Sequence, residues 1–280
     1  MDVIGIGPAG IDIIYTAEGV KKSAGGSIIN TLVRLQALGA GTGVLGLIGN
    51  DPEGKSMIAR LTLLGIDTSK MRHESAYRTP RCHMRTGKGL KEFIDMDDYK
   101  RIGKLNAKDM EYLKKAKAIF IEIVNPIFKE YLEFAKKHKI KFYVTLQNID
   151  SKYNLHYLKD PHISAIFCNT KESKYIKGMM PDIKSTLAVT KRERGSNVYH
   201  MGKDIDTPAF MVDTIDQLGT GDAFAAGFIY GDLKGWGMKR KCLFANAMGA
   251  FATVGWGAQG KVPFLEEVKE LIRQQADNLA

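Results

Sequence analysis

The sequence predicts an α/β fold: three layers, with a mainly parallel central sheet covered on both faces by helices and a small β lid beside it. Three observations carry this. Strand-like apolar runs alternate with helix-period segments over most of the 280 residues. The alternation breaks once, between 81 and 96, where two short runs flank Gly87 and Gly89 as a hairpin would. No internal repeat, low-complexity tract or Pro/Ser-rich linker divides the chain, so residues 1–280 read as a single domain.

Taken in order, residues 3–7 form a buried first strand. Between 27 and 38, Ile28, Leu32, Leu35 and Leu38 recur at helical spacing, with Asn30 and Arg34 off that stripe. Residues 43–48 make a second strand, and a helix over 55–64 stops at Gly65, a suitable C-terminal cap. After the hairpin come a strand at 118–123, a helix at 126–137, and strands at 141–146, 163–168 and 185–190. The last third is mostly helix, over 220–233, 239–254 and 265–279. The segments that interrupt the rhythm, about 13–24 and 81–96, make a reduced β lid. In such sheets ligands bind beyond the carboxyl ends of the strands.

The formal charge is +10, from 41 basic and 31 acidic residues. Nucleic-acid binding needs that charge gathered into one stripe with interleaved aromatics. Here the lysines fall in separate clusters, at 114–117, 136–141 and 239–241, beside the polar faces of predicted helices. Solvated helix surface is the reading, with a basic pull on anionic substrates. Cys82, Cys168 and Cys242 are far apart and share no metal-ligand spacing, which points to a reducing compartment. No apolar run approaches a membrane span and no basic leader precedes the first strand. The expectation is a cytoplasmic protein, with neither nucleic acid nor membrane as partner.

Gly5-Ile6-Gly7-Pro8-Ala9-Gly10 matches the dinucleotide fingerprint G-x-G-x-x-G, which makes an oxidoreductase the rival reading. That fingerprint requires a helix at its third glycine and an acidic residue to hold the ribose. Residues 11–15 are rich in β-branched side chains and read as continued strand, and no Asp or Glu occurs from Val20 to Asn50. The rival is therefore disfavoured.

The segment Asp216-Gln217-Leu218-Gly219-Thr220-Gly221-Asp222 is the most informative. A glycine-rich turn runs straight into a small-residue helix, so backbone N–H groups of Gly219, Thr220 and Gly221 are offered at the positive end of a helix dipole. This is an anion site, without the Gly-Lys-Ser/Thr of a P-loop. A carboxylate at Asp222 would repel phosphates, but it suits a base that takes a proton from an attacking hydroxyl. Taken alone, the loop fits equally well an acidic first-turn residue that favours the dipole.

With these residues in place, the chain resembles the ribokinase-like (PfkB) carbohydrate kinase family. The 216–222 loop is similar to that family's Asp-Thr-x-Gly-Ala-Gly-Asp signature. Gly25-Gly26-Ser27-Ile28-Ile29-Asn30 is similar to its Gly-Gly-x-x-x-Asn, and Gly46 to Gly54 to its Gly-x-x-Gly-x-Asp-x-x-Gly. Asn169 to Glu172 fits Asn-x-x-Glu, and Gly257-Ala258 fits a late Gly-Ala. The matches come in family order from residue 3 to about 263.

The resemblance implies a ribokinase-like fold and an ATP- and Mg2+-dependent kinase that phosphorylates a hydroxyl of a sugar or sugar-like polyol. A nucleoside kinase of the same family and a non-catalytic binding protein are the alternatives. It implies Asp222 as base and Gly219, Thr220 and Gly221 as anion hole. Asp12, Gly25, Gly26 and Asn30 would contact the acceptor. Asn169, Thr190, Gly195, Asn246 and Gly257 would line the nucleotide cleft, and Glu172 would hold Mg2+ through water. In several relatives the residue matching Asp216 belongs to a monovalent-cation site, so K+ is a further candidate cofactor. Partners would be ATP and the acceptor, with a monomer and a homodimer both open. Departures from the family pattern are Gln217 and Thr220 in the signature, Arg192 in place of a frequent glycine, and Leu146 in place of an Asp, although Asn148 remains. The segment 13–24 is shorter than the usual lid segment.

Overall fold

The computed structural model describes residues 1–87, 90–96, 104–147, 149–151 and 153–275. Gly89 of the expected hairpin, Asn148 and the end of the expected last helix lie outside the described residues. In chain order the elements are β1 (Val3–Ile6), β2 (Gly10–Thr16), β3 (Gly19–Gly25), α1 (Ser27–Ala37), β4 (Thr42–Gly49), α2 (Pro52–Leu63) and β5 (Asp67–Glu74). Then follow β6 (Arg81–Gly87), β7 (Leu90–Met96), α3 (Ala107–Leu113), β8 (Ala118–Glu122), α4 (Phe128–His138), β9 (Lys141–Thr145), β10 (Ile163–Asn169) and α5 (Ser173–Ile176). The chain closes with β11 (Thr186–Thr190), β12 (Ser196–His200), β13 (Lys203–Thr207), α6 (Thr220–Leu233), α7 (Met238–Thr253) and α8 (Leu265–Gln275).

Among the described residues the main sheet has nine strands in the order β13-β12-β11-β10-β9-β8-β1-β4-β5. It is parallel from β5 through β11, and β12 and β13 add an antiparallel edge. β1, and β8 as far as Ile121, are apolar at every position because both faces are covered. Along β8, Ala118 and Phe120 join one core while Ile119 and Ile121 join the other. The first core receives α1, α2, α6, α7 and α8, and the second α3, α4 and α5. These are the three expected layers. No helix of the described residues is long and apolar enough to cross a membrane.

A second sheet, β3-β2-β6-β7, is built from the two segments expected to form a lid, and its first hairpin extends to Gly10 and Gly25. Gly10 therefore opens a strand where a dinucleotide site would open a helix. Gly5 and Gly7 have a packing reason instead: a Cβ at either would stand 2.5–2.6 Å from the Ile28 side chain, so they let α1 lie close on β1. α1 departs from the expected two-faced helix, because every residue from Ser27 to Leu35 is buried. Its outer face is covered by α6, with Thr31 donating to the Asp222 carbonyl at 3.2 Å. Arg34 is consequently inside, among the largest fully buried side chains.

Candidate active site

The loop before α6 is shaped by Asp216. Its Oδ1 accepts the Leu218 N–H at 3.1 Å and its Oδ2 the Gly257 N–H at 2.9 Å, which ties two distant turns together. Gly219 then adopts φ +73°, and a Cβ there would lie 2.5 Å from the Ala258 carbonyl, so the turn requires glycine. α6 begins at Thr220 with no side-chain cap. The first-turn N–H groups of Thr220, Gly221 and Asp222 thus have no partner within the helix and carry the positive end of its dipole. Thr220 Oγ1 braces the turn by donating to the Gln217 carbonyl at 2.8 Å.

Asp222 is buried and held from α1. Ser27 Oγ donates to its Oδ1 at 2.7 Å, and Asn30 Nδ2 donates to its Oδ2 at 2.9 Å. Asn30, expected to grip an acceptor hydroxyl, is thus engaged with the carboxylate, and its Oδ1 accepts from Gln259 Nε2 at 2.8 Å. Beneath them Arg34 donates to the Asn30 carbonyl at 3.1 Å and the Ala258 carbonyl at 2.5 Å. Burial pushes the Arg34 guanidinium down to about 10, opposed by the charge of Asp222, and it stays cationic at neutral pH. The sequence reading missed Ser27, Arg34 and Gln259. Ser27 lies inside the quoted Gly-Gly motif, and that was the available signal.

On the lid, Asp12 sits in β2 opposite Ser23 and Cys82 and is buried. A Cβ on Gly25 would fall 2.2 Å from Asp12 Oδ1, so Gly25 leaves the room that the carboxylate fills. Gly26 takes φ +102° at the entry to α1. Ile14, Cys82 and Met84 rest on Leu218 and Ala258, seating the lid on the loop that precedes α6.

A cavity of about 370 Å3 opens beyond the strand ends, with Thr220, Gly221, Asn169, Thr190, Gly195 and Asn246 in its wall. Gly219 is not in that wall, since it packs on Ala258. Nor is Gly257, expected in the nucleotide cleft; its N–H is held by Asp216 and its open side faces Ser23 and Ile14 of the lid. Asn246 Nδ2 donates to the carbonyls of Thr207 and Pro208, bracing the wall. Glu172 lies just outside: its Oε2 accepts the Asn169 N–H at 2.8 Å while Asn169 Oδ1 accepts the N–H groups of Lys171 and Glu172. Arg192, noted as a departure from the family pattern, and Lys171, which the sequence reading had not placed there, add two cations. Among the described residues no cluster of three or more His, Cys, Asp or Glu side chains could hold a metal unaided.

A family model described as pfkB family carbohydrate kinase matches residues 3–264. The chain belongs to that family. It is a phosphotransferase that acts on a hydroxyl, and the dinucleotide reading is set aside. Among the relatives, a 5-dehydro-2-deoxygluconokinase of Clostridium botulinum is 25% identical, covering 92% of this chain and 86% of its own. A nucleoside kinase of Methanocaldococcus jannaschii is 24% identical, covering 96% of each chain. Its crystal structure superposes with a TM-score of 0.81 at 23% identity, over 98% of this chain and 99% of that one. An Escherichia coli protein assigned as ribokinase II, in complex with ATP and Mg2+, superposes with a TM-score of 0.82 at 20% identity over 98% of both chains. For this pfkB chain the solved structures establish the fold, which is the three-layer, mainly parallel arrangement described above.

Proposed function

We propose that this pfkB-family kinase transfers the γ-phosphate of ATP to a hydroxyl of a sugar or sugar-like polyol, with Asp222 as the base. One observation carries the reading. A buried carboxylate, immobilised by Ser27 and Asn30, stands in the first turn of a helix whose unpartnered N–H groups border the cavity. The acceptor hydroxyl gives its proton to an Asp222 oxygen as its own oxygen bonds the γ-phosphorus and the bond to the ADP oxygen breaks. The N–H groups of Thr220 and Gly221 take up charge on the transferring phosphoryl group.

The cavity suits the donor. Phe210, Val212, Phe224 and Ala250 offer an apolar wall for a base, and Lys171 and Arg192 offer cations for phosphates. Asn169, Thr190 and Glu172 supply oxygen donors near that wall, which fits a Mg2+ ion held partly through its own water; bound there it would neutralise phosphate charge. Asp12 and the backbone at Gly25 and Gly26 are the groups we assign to the acceptor, with Asn30 assigned to orienting Asp222. The two N–H bonds to Asp216 support a bracing role for that residue ahead of K+ binding. Closure of the lid on Leu218 and Ala258 would exclude water as a competing acceptor. We take both sheets as parts of one domain.

The test is ADP release across D-ribose, D-fructose, myo-inositol and adenosine, run beside Asp222→Asn. The expected result is turnover with a sugar or polyol and a kcat at least ~100-fold lower in the variant, with ATP binding little changed. Near wild-type turnover by Asp222→Asn would overturn the base assignment, and a preference for adenosine would overturn the acceptor class.

A further inference from the structure

We infer that Gln259, held by Arg60, is a positioning residue that fixes which end of the Asn30 amide faces Asp222. The inference rests on Asp222 being the base. Four side chains form one hydrogen-bonded row: Arg60 Nη1 to Gln259 Oε1 at 2.6 Å, Gln259 Nε2 to Asn30 Oδ1 at 2.8 Å, and Asn30 Nδ2 to Asp222 Oδ2 at 2.9 Å.

The direction of this row is dictated by its two ends. A guanidinium has only donors, so the atom of Gln259 that meets Arg60 must be its carbonyl oxygen. The Gln259 NH2 group must then point the other way, and only an acceptor can meet it. Asn30 therefore turns Oδ1 toward Gln259 and Nδ2 toward Asp222, whose ionised carboxylate can only accept. With either end group removed, the neighbouring amide could turn over. An inverted Asn30 would aim its carbonyl oxygen at the carboxylate, replacing an attraction by a repulsion at the base.

The surroundings allow no easy substitute. Asn30 is buried, so water cannot readily replace a missing donor at Oδ1. Gln259 Nε2 also lies 3.3 Å from the Ala24 carbonyl at the end of the lid's return strand, next to Gly25. Gln259 thus meets the base through Asn30 and the lid through Ala24, while itself touching neither the donor cavity nor Asp222. Arg60, at the outer end of the row, is exposed, and the part of its guanidinium that burial does reach lowers its pKa from the usual arginine value.

The test uses the full chain with whichever of D-ribose, D-fructose, myo-inositol or adenosine turns over fastest. Gln259→Glu keeps length and improves the contact with Arg60 but removes both donors; Gln259→Met removes the polar atoms without adding charge. Both should lower kcat by ~10- to 100-fold, with KM for ATP within about twofold of wild type and no matching loss of melting temperature. Arg60→Met, at the outer end of the row, should lower kcat by a few-fold and Arg60→Lys should restore it. Wild-type kcat in both Gln259 variants, beside an inactive Asp222→Asn, overturns this inference and leaves the base assignment standing. An active Asp222→Asn overturns the base assignment, and this inference with it. If a Gln259 variant fails to fold, the Arg60 pair decides: equal kcat in Arg60→Met and wild type overturns the proposal.

Discussion

Gly25 and Asp12 compete for one volume: a Cβ on the glycine would stand 2.2 Å from Oδ1 of the carboxylate. Gly25 ends β3 opposite Gly10, and Asp12 lies two positions further along β2 opposite Ser23, so the hairpin register makes the two diagonal neighbours. The glycine is thus required by the position of a carboxylate, and not by a turn. Gly25→Ala must displace Asp12 from the place where it can meet acceptor hydroxyls. We expect KM for the acceptor to rise ~10-fold or more, with KM for ATP unchanged. A variant with an unchanged acceptor KM would remove Asp12 from the acceptor site.

Ser27→Ala separates positioning from folding. The hydroxyl donates to an ionised carboxylate in a buried place, so its loss should cost about 1–2 kcal/mol of stability. It should also lower kcat by ~10-fold, because Asp222 then keeps only the Asn30 bond and gains rotational freedom. Urea unfolding and steady-state kinetics read the two effects. A stability loss with intact kcat would make Ser27 a structural contact alone.

Arg192 takes φ +55°, a left-handed conformation that a residue with a Cβ adopts at a cost of about 1–2 kcal/mol. It lines the cavity beside Lys171, so a cation there is the evident return for that strain. Arg192→Gly should leave stability unchanged or raise it by up to about 1 kcal/mol. KM for ATP should rise ~3- to 10-fold as one phosphate contact is lost. The opposed signs exclude unfolding as the cause, and an unchanged KM would remove Arg192 from donor binding.

The three layers and the position of the lid follow from features that sequence displays directly: apolar runs alternating with helix-period segments, and the hairpin that breaks the alternation. The helix expected over 220–233 has those bounds in the structure, because Gly219 is a left-handed cap. Local signals were weak where strands were missed. β5 reads Asp-Thr-Ser-Lys-Met-Arg-His-Glu, a polar edge strand. The β12–β13 hairpin turns at Met201 and Gly202, both with positive φ, where Asn-Gly would have announced it. At the candidate site, Asp222 and the Gly-Gly pair were named because a motif holds them, and Asp12 because the resemblance implies it. Arg34 and Gln259 were not. An arginine off the apolar stripe of α1 suggests solvent until α6 is known to cover it, and Gln259 meets an Asn30 that lies 229 positions away in sequence. The basic clusters also mixed two cases, since Lys136 is exposed beside Glu133 while Lys241 is buried against Asp232.

That last contact predicts an acid limb in stability. Asp232, at the end of α6, accepts from Lys141, Lys241 and Tyr143, each at 2.5–2.7 Å. Burial alone would raise its pKa, but the three hydrogen bonds and the charge of Lys241 outweigh that and hold it at about 2, from 3.8. A carboxylate with a depressed folded-state pKa adds stability above its unfolded pKa and loses it as pH falls toward the folded value. The contribution is therefore full above about pH 4–5 and fades down to about pH 2. Because the group is partly open to solvent, screening reduces the nominal shift to about 1–2 kcal/mol. Asp232→Asn should lose at least that amount at pH 7, since Lys241 is then left buried without its counter-charge. Its deficit should shrink steadily as both proteins are unfolded at falling pH. A deficit constant between pH 7 and pH 3 would show that packing, and not the ion cluster, fixes the end of α6.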